Sequence, residues 1–175
     1  MSDGDDSVLR AITDDGAFRV VVARTTSTVR GVLQAQHARG PSARPFGDLI
    51  TGSVLFRETM APNLRVQGVL KGVGGRGSLV ADSHPSGMTR GLMQLPEGAE
   101  AVDTNAGALL QLMRTLPGGR INQGVVELPA GGCSATRMGP TWASRAIPPR
   151  SPIRIFWSRA CARASTRCWP ASRSR

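Results

Sequence analysis

Short aliphatic runs separated by turn residues dominate the chain between residues 63 and 94. Three such runs, at residues 64–70, 78–82 and 88–94, are bounded by clusters of Gly, Pro and Ser. Runs of this length between turn clusters are typical of β-strands. Short connections make neighbouring strands antiparallel. The pattern therefore predicts a three-stranded meander.

A strand and a helix are predicted near the start of the chain. The β-branched run at residues 17–24 is typical of a strand. Apolar residues at i, i+3 and i+4 then follow a cluster of N-cap candidates at 25–28, which predicts a helix over residues 28–39. Residues 1–7 are acidic and contain Gly and Ser, so we expect this end to fray.

A second helix is predicted over residues 45–59. Its apolar stripe is formed by Phe46, Leu49, Ile50 and Val54. Pro62 ends it. Gly47 and Gly52 each lower its intrinsic helix propensity by roughly 1 kcal/mol, so packing against other elements must hold it in place.

Residues 103–132 fit two structures. Leu109, Leu110 and Met113 suit a helix over residues 106–115, but the same stretch also alternates between apolar and polar residues. A Pro-Gly-Gly turn at 117–119 and a strand-like run at 120–128 follow. Two runs joined by a tight turn favour a hairpin, with the helix as the alternative. The fold class predicted is α+β, with antiparallel meander and hairpin sheets packed with two helices.

Charge divides the chain into two parts. Residues 1–132 carry 13 Lys and Arg and all 12 Asp and Glu, a net charge of +1. Residues 133–175 carry the other nine basic residues, all Arg, and no acid, a net charge of +9. A block of like charge without hydrophobic periodicity is predicted to be disordered. We therefore expect a folded domain over residues 1–132 and a disordered tail over 133–175.

The meander and the run at residues 121–128 carry a family resemblance. LRVQGVLKGVGGRGSLVADSHPSGMTRG and INQGVVEL resemble the N-terminal core domain of the heat shock protein 33 family, the redox-regulated holdase chaperones. The resemblance covers residues 6–128. It implies ATP-independent binding of unfolded client proteins and, at residues 110–128, a hairpin. Because the likeness ends near Gly132, we expect a truncated family member with an unrelated tail.

The family resemblance also implies a zinc site of two Cys pairs, C-x-C and C-x-x-C, which acts as a redox switch. Thiolates at that spacing bind zinc when reduced and form disulfides when oxidised. Cys133, Cys161 and Cys168 match neither spacing. We predict no metal or other cofactor and no redox control in this chain.

Two other motifs resemble parts of enzyme sites, but each is better explained as a turn or a strand end. Residues 72–77 match G-x-G-x-x-G, yet a strand-like run follows them, which favours a hairpin loop over a dinucleotide site. Asp82, Ser83 and His84 are sequence neighbours and cannot form a hydrolytic triad. His84 is predicted to face solvent in a turn, and His37 to lie on the surface near a helix end. We predict no enzymatic activity.

The main alternative function is nucleic-acid binding by the tail. Its arginines could neutralise phosphates and its three Trp could stack on bases. However, Arg, Ser, Ala, Pro, Cys and Trp are also what a GC-rich gene encodes in a shifted reading frame, and we favour that interpretation.

The chain has no apolar run near 18 residues and begins without a signal-peptide pattern. We therefore expect a cytoplasmic protein with no membrane partner. The partners predicted are unfolded client proteins, with a homodimer as a further possibility.

Overall fold

The computed structural model describes residues 5–15 and 19–129. In chain order, its strands and helices are β1 (Ser7–Ile12), β2 (Arg19–Arg24), α1 (Thr26–Ala35), α2 (Ala43–Glu58), β3 (Val66–Lys71), β4 (Ser78–Ser83), β5 (Thr89–Gln94), β6 (Leu109–Thr115) and β7 (Ile121–Glu127). Two 3-10 turns lie at Gly40–Ser42 and Val73–Gly75. The α+β class is confirmed.

Two antiparallel sheets contain all these strands. One is the β1–β2 hairpin, and the other has five strands in the order β5-β4-β3-β6-β7. The predicted meander corresponds to β3, β4 and β5, and the predicted hairpin corresponds to β6 and β7. The alternative helix over residues 106–115 is wrong. Gly118 and Gly119 both have positive φ, 82° and 78°, which lets the chain reverse tightly between β6 and β7.

The first helix ends earlier than its sequence pattern predicts. It stops at Ala35 rather than near residue 39. His37 has φ of 50°, in the left-handed region, and this conformation cannot continue a right-handed helix. The surface position predicted for His37 is confirmed.

Strand β1 was not predicted. It pairs with β2 over its whole length, with Val8 opposite Ala23. Of the predicted strand at residues 17–24, the first two residues lie outside the described part of the chain. The predicted tail at 133–175 lies outside it too.

The N-terminus of α1 is capped from a distance. Asp6 accepts hydrogen bonds from the backbone N–H groups of Ser27 at 2.9 Å and Thr28 at 2.6 Å. Thr25, at the N-cap position, makes no side-chain capping bond. The prediction that residues 1–7 fray is therefore wrong at Asp6, and also at Ser7, which begins β1 and pairs with Arg24. Burial raises the pKa of Asp6, but the hydrogen bonds from Thr28 and Ser27 outweigh it and hold the pKa below its ordinary value.

Helix α2 lies between the two sheets. Leu55 packs against Val21 and Ala23 of the hairpin. On the opposite side of the helix, Phe46 and Ile50 are fully buried in the cluster that covers the five-stranded sheet. Burial on two sides explains how a helix with two internal glycines is held. No described helix is long and apolar enough to cross a membrane.

A glycine in β5 makes room for this packing. A Cβ atom at Gly91 would lie 2.6 Å from Phe46 Cζ and 2.7 Å from Val32 Cγ1. We expect Gly91→Ala to lower the free energy of unfolding by about 1–2 kcal/mol, because overpacking forces these side chains apart. Urea unfolding would measure this. The matched control is Gly124→Ala in β7, where a Cβ would meet nothing within 4 Å. An equal loss in both variants would contradict the packing argument.

Candidate functional site

The glycine cluster at residues 72–77 forms the turn between β3 and β4. The N–H of Gly72 donates to the carbonyl of Gly77 at 3.1 Å, and the 3-10 turn Val73–Gly75 lies between them. A dinucleotide site needs a helix that begins at its glycines. Strand β4 follows here instead. The hairpin-loop interpretation is confirmed.

Asp82, Ser83 and His84 do not converge as a triad, because Ser83 lies apart from the other two. Successive side chains point to opposite faces of a sheet. Ser83 lies on the face that packs against the helices, where it is 1% exposed and accepts a hydrogen bond from Thr89 Oγ1 at 3.3 Å. Asp82 lies on the other face. The structure therefore contains no Asp-His-Ser arrangement at these residues, as the sequence predicted.

His84 is less exposed than its predicted solvent-facing position in a turn. Its side chain is only 28% exposed, and its Nε2 lies 3.1 Å from Asp82 Oδ2. The residue begins the turn between β4 and β5, where its N–H donates to the carbonyl of Met88 at 2.9 Å. The imidazole therefore bends back toward the sheet.

Three basic side chains surround the Asp82 carboxylate. Arg65 donates through Nε to Oδ1 at 2.6 Å and through a terminal nitrogen to Oδ2 at 2.7 Å. Arg90 donates through Nε to Oδ2 at 3.1 Å. With His84 beside them, these groups leave the Asp82 side chain only 6% exposed. We call Arg65, Asp82, His84 and Arg90 the Asp82 cluster.

Strand register creates this cluster. In the antiparallel ladder, Asp82 lies directly opposite Arg90 of β5. Arg65 comes just before β3, whose Val66 pairs with Ser83, so it lies beside Asp82. Burial raises the pKa of Asp82, but the hydrogen bonds from Arg65, Arg90 and His84 outweigh it and hold the pKa below the ordinary value of 3.8. Asp82 is therefore a carboxylate at neutral pH.

The face of the five-stranded sheet that holds the Asp82 cluster is not covered by α1 or α2. Both helices pack on the opposite face, where a Cβ at Gly68 would meet Leu49 and one at Gly91 would meet Phe46. We call the uncovered side the open face. Because paired residues share a face, register assigns its members.

Apolar side chains run across the open face. Val69 pairs with Val80 of β4, and Val80 pairs with Leu92 of β5. On the other side of β3, Gln111 of β6 pairs with Val69 and with Val125 of β7, and Leu109 and Met113 flank Gln111 on the same face. We call these six side chains the apolar stripe: Val69, Val80, Leu92, Leu109, Met113 and Val125. Leu92 is 46% exposed and Val125 is 53% exposed, so the stripe is accessible at both edges of the sheet.

A third feature lies near the turn between β4 and β5, whose Pro85 helps to line it. A cavity of about 570 Å³ opens between the β1–β2 hairpin and the end of α2, with Arg10, Arg19, Arg57 and Glu58 in its lining. Glu58 is buried and pairs with Arg10 and Arg57. Two of the three arginines are thus engaged by the one carboxylate, which ties the hairpin to the helix.

The comparisons with known proteins agree on one family. The model of the Hsp33 protein family matches residues 6–136. The chain belongs to the Hsp33 family. A 33 kDa chaperonin of Thermus thermophilus is 29% identical over 153 residues, which cover 81% of this chain and 45% of that protein. The 33 kDa chaperonin of Desulforamulus reducens is 30% identical over 96 residues, 53% of this chain and 31% of that protein.

The fold is also similar to a solved Hsp33 structure. The crystal structure of the 33 kDa chaperonin from Thermotoga maritima matches with a TM-score of 0.60 at 19% identity, over 78% of this chain and 50% of that one. The predicted resemblance to the N-terminal core domain of the Hsp33 family is confirmed. This chain spans about half the length, or less, of these relatives.

The predicted zinc-free state is not tested by these residues. Cys133, Cys161 and Cys168 all lie outside the described ranges. Within residues 5–15 and 19–129, no group of three His, Cys, Asp or Glu could hold a metal ion. The absence of zinc and of redox control stays a prediction.

Proposed function

We propose that this Hsp33-family chain is an ATP-independent holding chaperone of the cytoplasm. Its clients would be unfolding proteins, which expose apolar segments that aggregate. The observation that carries the proposal is the apolar stripe on the open face, accessible in a chain whose relatives are 33 kDa chaperonins. A surface that binds unfolded chains lowers the concentration of free aggregating molecules by mass action.

The physics of the open face suits such binding. Apolar burial contributes about 25 cal/mol per Å² without demanding a fixed geometry, so one stripe can accept many sequences. Strands β3 and β4, which carry Val69 and Val80 of the stripe, are backed by α2, so this part of the surface is formed before a client arrives. Preformed surfaces lose less entropy on binding. We propose that the stripe binds clients without zinc and without redox control.

A pair of matched leucine variants tests this proposal. Leu92 lies in the stripe, whereas Leu9 is 67% exposed on β1, away from the open face. We expect Leu92→Ser in the full chain to weaken suppression of client aggregation by severalfold, because it places a hydroxyl in the stripe. Leu9→Ser should leave suppression unchanged. Light scattering of a chemically denatured client after dilution would measure both. Equal effects of the two substitutions would contradict a role for the stripe.

The alternative function, nucleic-acid binding through the arginine-rich tail, makes a different prediction. The nine arginines of residues 133–175 would release counterions from phosphates, so binding should fall steeply with salt. We expect a chain of residues 1–132 to lose any affinity for RNA or DNA and to keep any client protection. Fluorescence anisotropy at low and moderate salt would show the first, and light scattering the second. Salt-sensitive RNA binding by residues 1–132, without client protection, would favour the alternative.

A further inference from the structure

The Asp82 cluster carries an excess of positive charge on the open face. Two guanidinium groups flank one carboxylate, so Arg65, Asp82 and Arg90 together carry a net charge of +1. Arg90 is 71% exposed and reaches Asp82 only through Nε. Most of its side chain therefore stays accessible while its orientation is fixed by the buried carboxylate.

This fixed orientation suits a guanidinium that binds an anion. An arginine usually loses side-chain freedom when it engages a carboxylate, and this loss offsets part of the gain. Here Asp82 holds Arg90 in place before any ligand arrives, which lowers the entropy lost on binding. The planar guanidinium can then donate hydrogen bonds from its remaining N–H groups to a second carboxylate.

The apolar stripe begins next to this charge. Arg90 and Leu92 are two positions apart on β5, so both side chains lie on the open face, about 7 Å apart along the strand. An extended polypeptide has the same two-residue period. An acidic side chain two positions from an apolar one can therefore reach Arg90 while the apolar side chain contacts Leu92 and Val80.

We infer that the open face selects unfolded segments in which an acidic side chain lies two residues from an aliphatic one. The inference rests on the proposed function and specifies its substrate class. The stripe binds the aliphatic residue, and Arg90, oriented by Asp82, binds the carboxylate. The cluster thus acts as a charge-selective end of the client-binding surface.

Two fluorescent peptides test this selectivity with the full chain. Both contain the same leucines and are disordered when free, but one carries Glu two positions from each leucine and the other carries Gln. At low salt we expect the Glu peptide to bind roughly two- to fivefold more tightly, as measured by fluorescence anisotropy, because exposed ion pairs are of this strength. The preference should shrink as salt screens the charges.

Three arginine variants locate the effect. Arg90→Gln should abolish the preference for the Glu peptide, whereas Arg90→Lys should keep part of it because the charge remains without the planar fork. Arg76→Gln is the matched control. Arg76 is exposed in the β3–β4 turn at the opposite end of the sheet, and its loss changes net charge equally.

These measurements distinguish a failure of the charge selectivity from a failure of the holding function. Equal affinity of the wild type for both peptides, or an equal loss of preference in Arg76→Gln and Arg90→Gln, would overturn the inference and leave the holding function intact. If neither peptide binds the wild-type protein, the proposed holding function is contradicted, and the selectivity for acidic segments is contradicted with it.

Discussion

Replacing Phe46 with alanine should lower the free energy of unfolding by about 3–5 kcal/mol, the largest effect of any single change expected here. Phe46 lies in the first turn of α2 and is fully buried. Its ring fills the space that Gly91 leaves on β5, next to Val32 of α1. Removing the ring would leave a cavity where both helices meet the sheet. A small domain has only about 5–15 kcal/mol of stability, so the variant should be close to unfolding.

Urea unfolding followed by circular dichroism would measure the loss at Phe46. Met88→Ala is the control, since Met88 is 68% exposed in the turn before β5. We expect this control to change stability by less than about 0.5 kcal/mol. A loss of less than about 1 kcal/mol in Phe46→Ala would show that the junction of the helices and the sheet contributes little to stability.

Local sequence patterns were sufficient for most of the five-stranded sheet. The glycine clusters between residues 63 and 94 mark the turns of the meander directly, and the Pro-Gly-Gly turn at 117–119 decided between hairpin and helix. Strand β1 was missed because Ser7–Ile12 has only two β-branched residues, Val8 and Ile12, so little in the local sequence marks it as a strand. The cap of α1 was misassigned because Asp6 is distant in sequence from the amides that it binds.

The candidate site could be predicted only in part. Asp82 and His84 were singled out in the sequence, but as members of a hydrolytic triad with Ser83. That triad is ruled out because neighbouring side chains of a strand point to opposite faces of the sheet. Arg65 and Arg90 were not singled out, because nothing local marks an exposed arginine as the partner of a buried carboxylate. A register drawn from the turn at residues 84–88 would have placed Arg90 opposite Asp82. Which face of the sheet stays open depends on the side on which α2 packs, and local sequence patterns do not show this tertiary packing.

Asp82→Asn should be the second most damaging change. The substitution removes the charge that holds Arg65, Arg90 and His84 together, so like charges would be left side by side at a nearly buried position. Breaking a fully buried ion pair costs about 3–5 kcal/mol. Both arginines can turn toward solvent, because Arg65 is 42% and Arg90 is 71% exposed. We therefore expect a smaller loss, about 2–3 kcal/mol at pH 7.

The effect of Asp82→Asn should depend on pH with a definite sign. The pKa of Asp82 is lower in the folded chain than its ordinary value of 3.8, so the unfolded chain binds the proton more readily. The stabilisation by Asp82 is therefore complete above about pH 5 and is lost as the pH falls below 4 through the folded-state pKa. Urea unfolding of wild type and Asp82→Asn at a series of pH values would test this. The difference between the two proteins should be largest near neutral pH and should narrow in acid. A difference that stays constant down to about pH 2 would mean that Asp82 stabilises the fold through its shape and hydrogen bonds rather than through its charge.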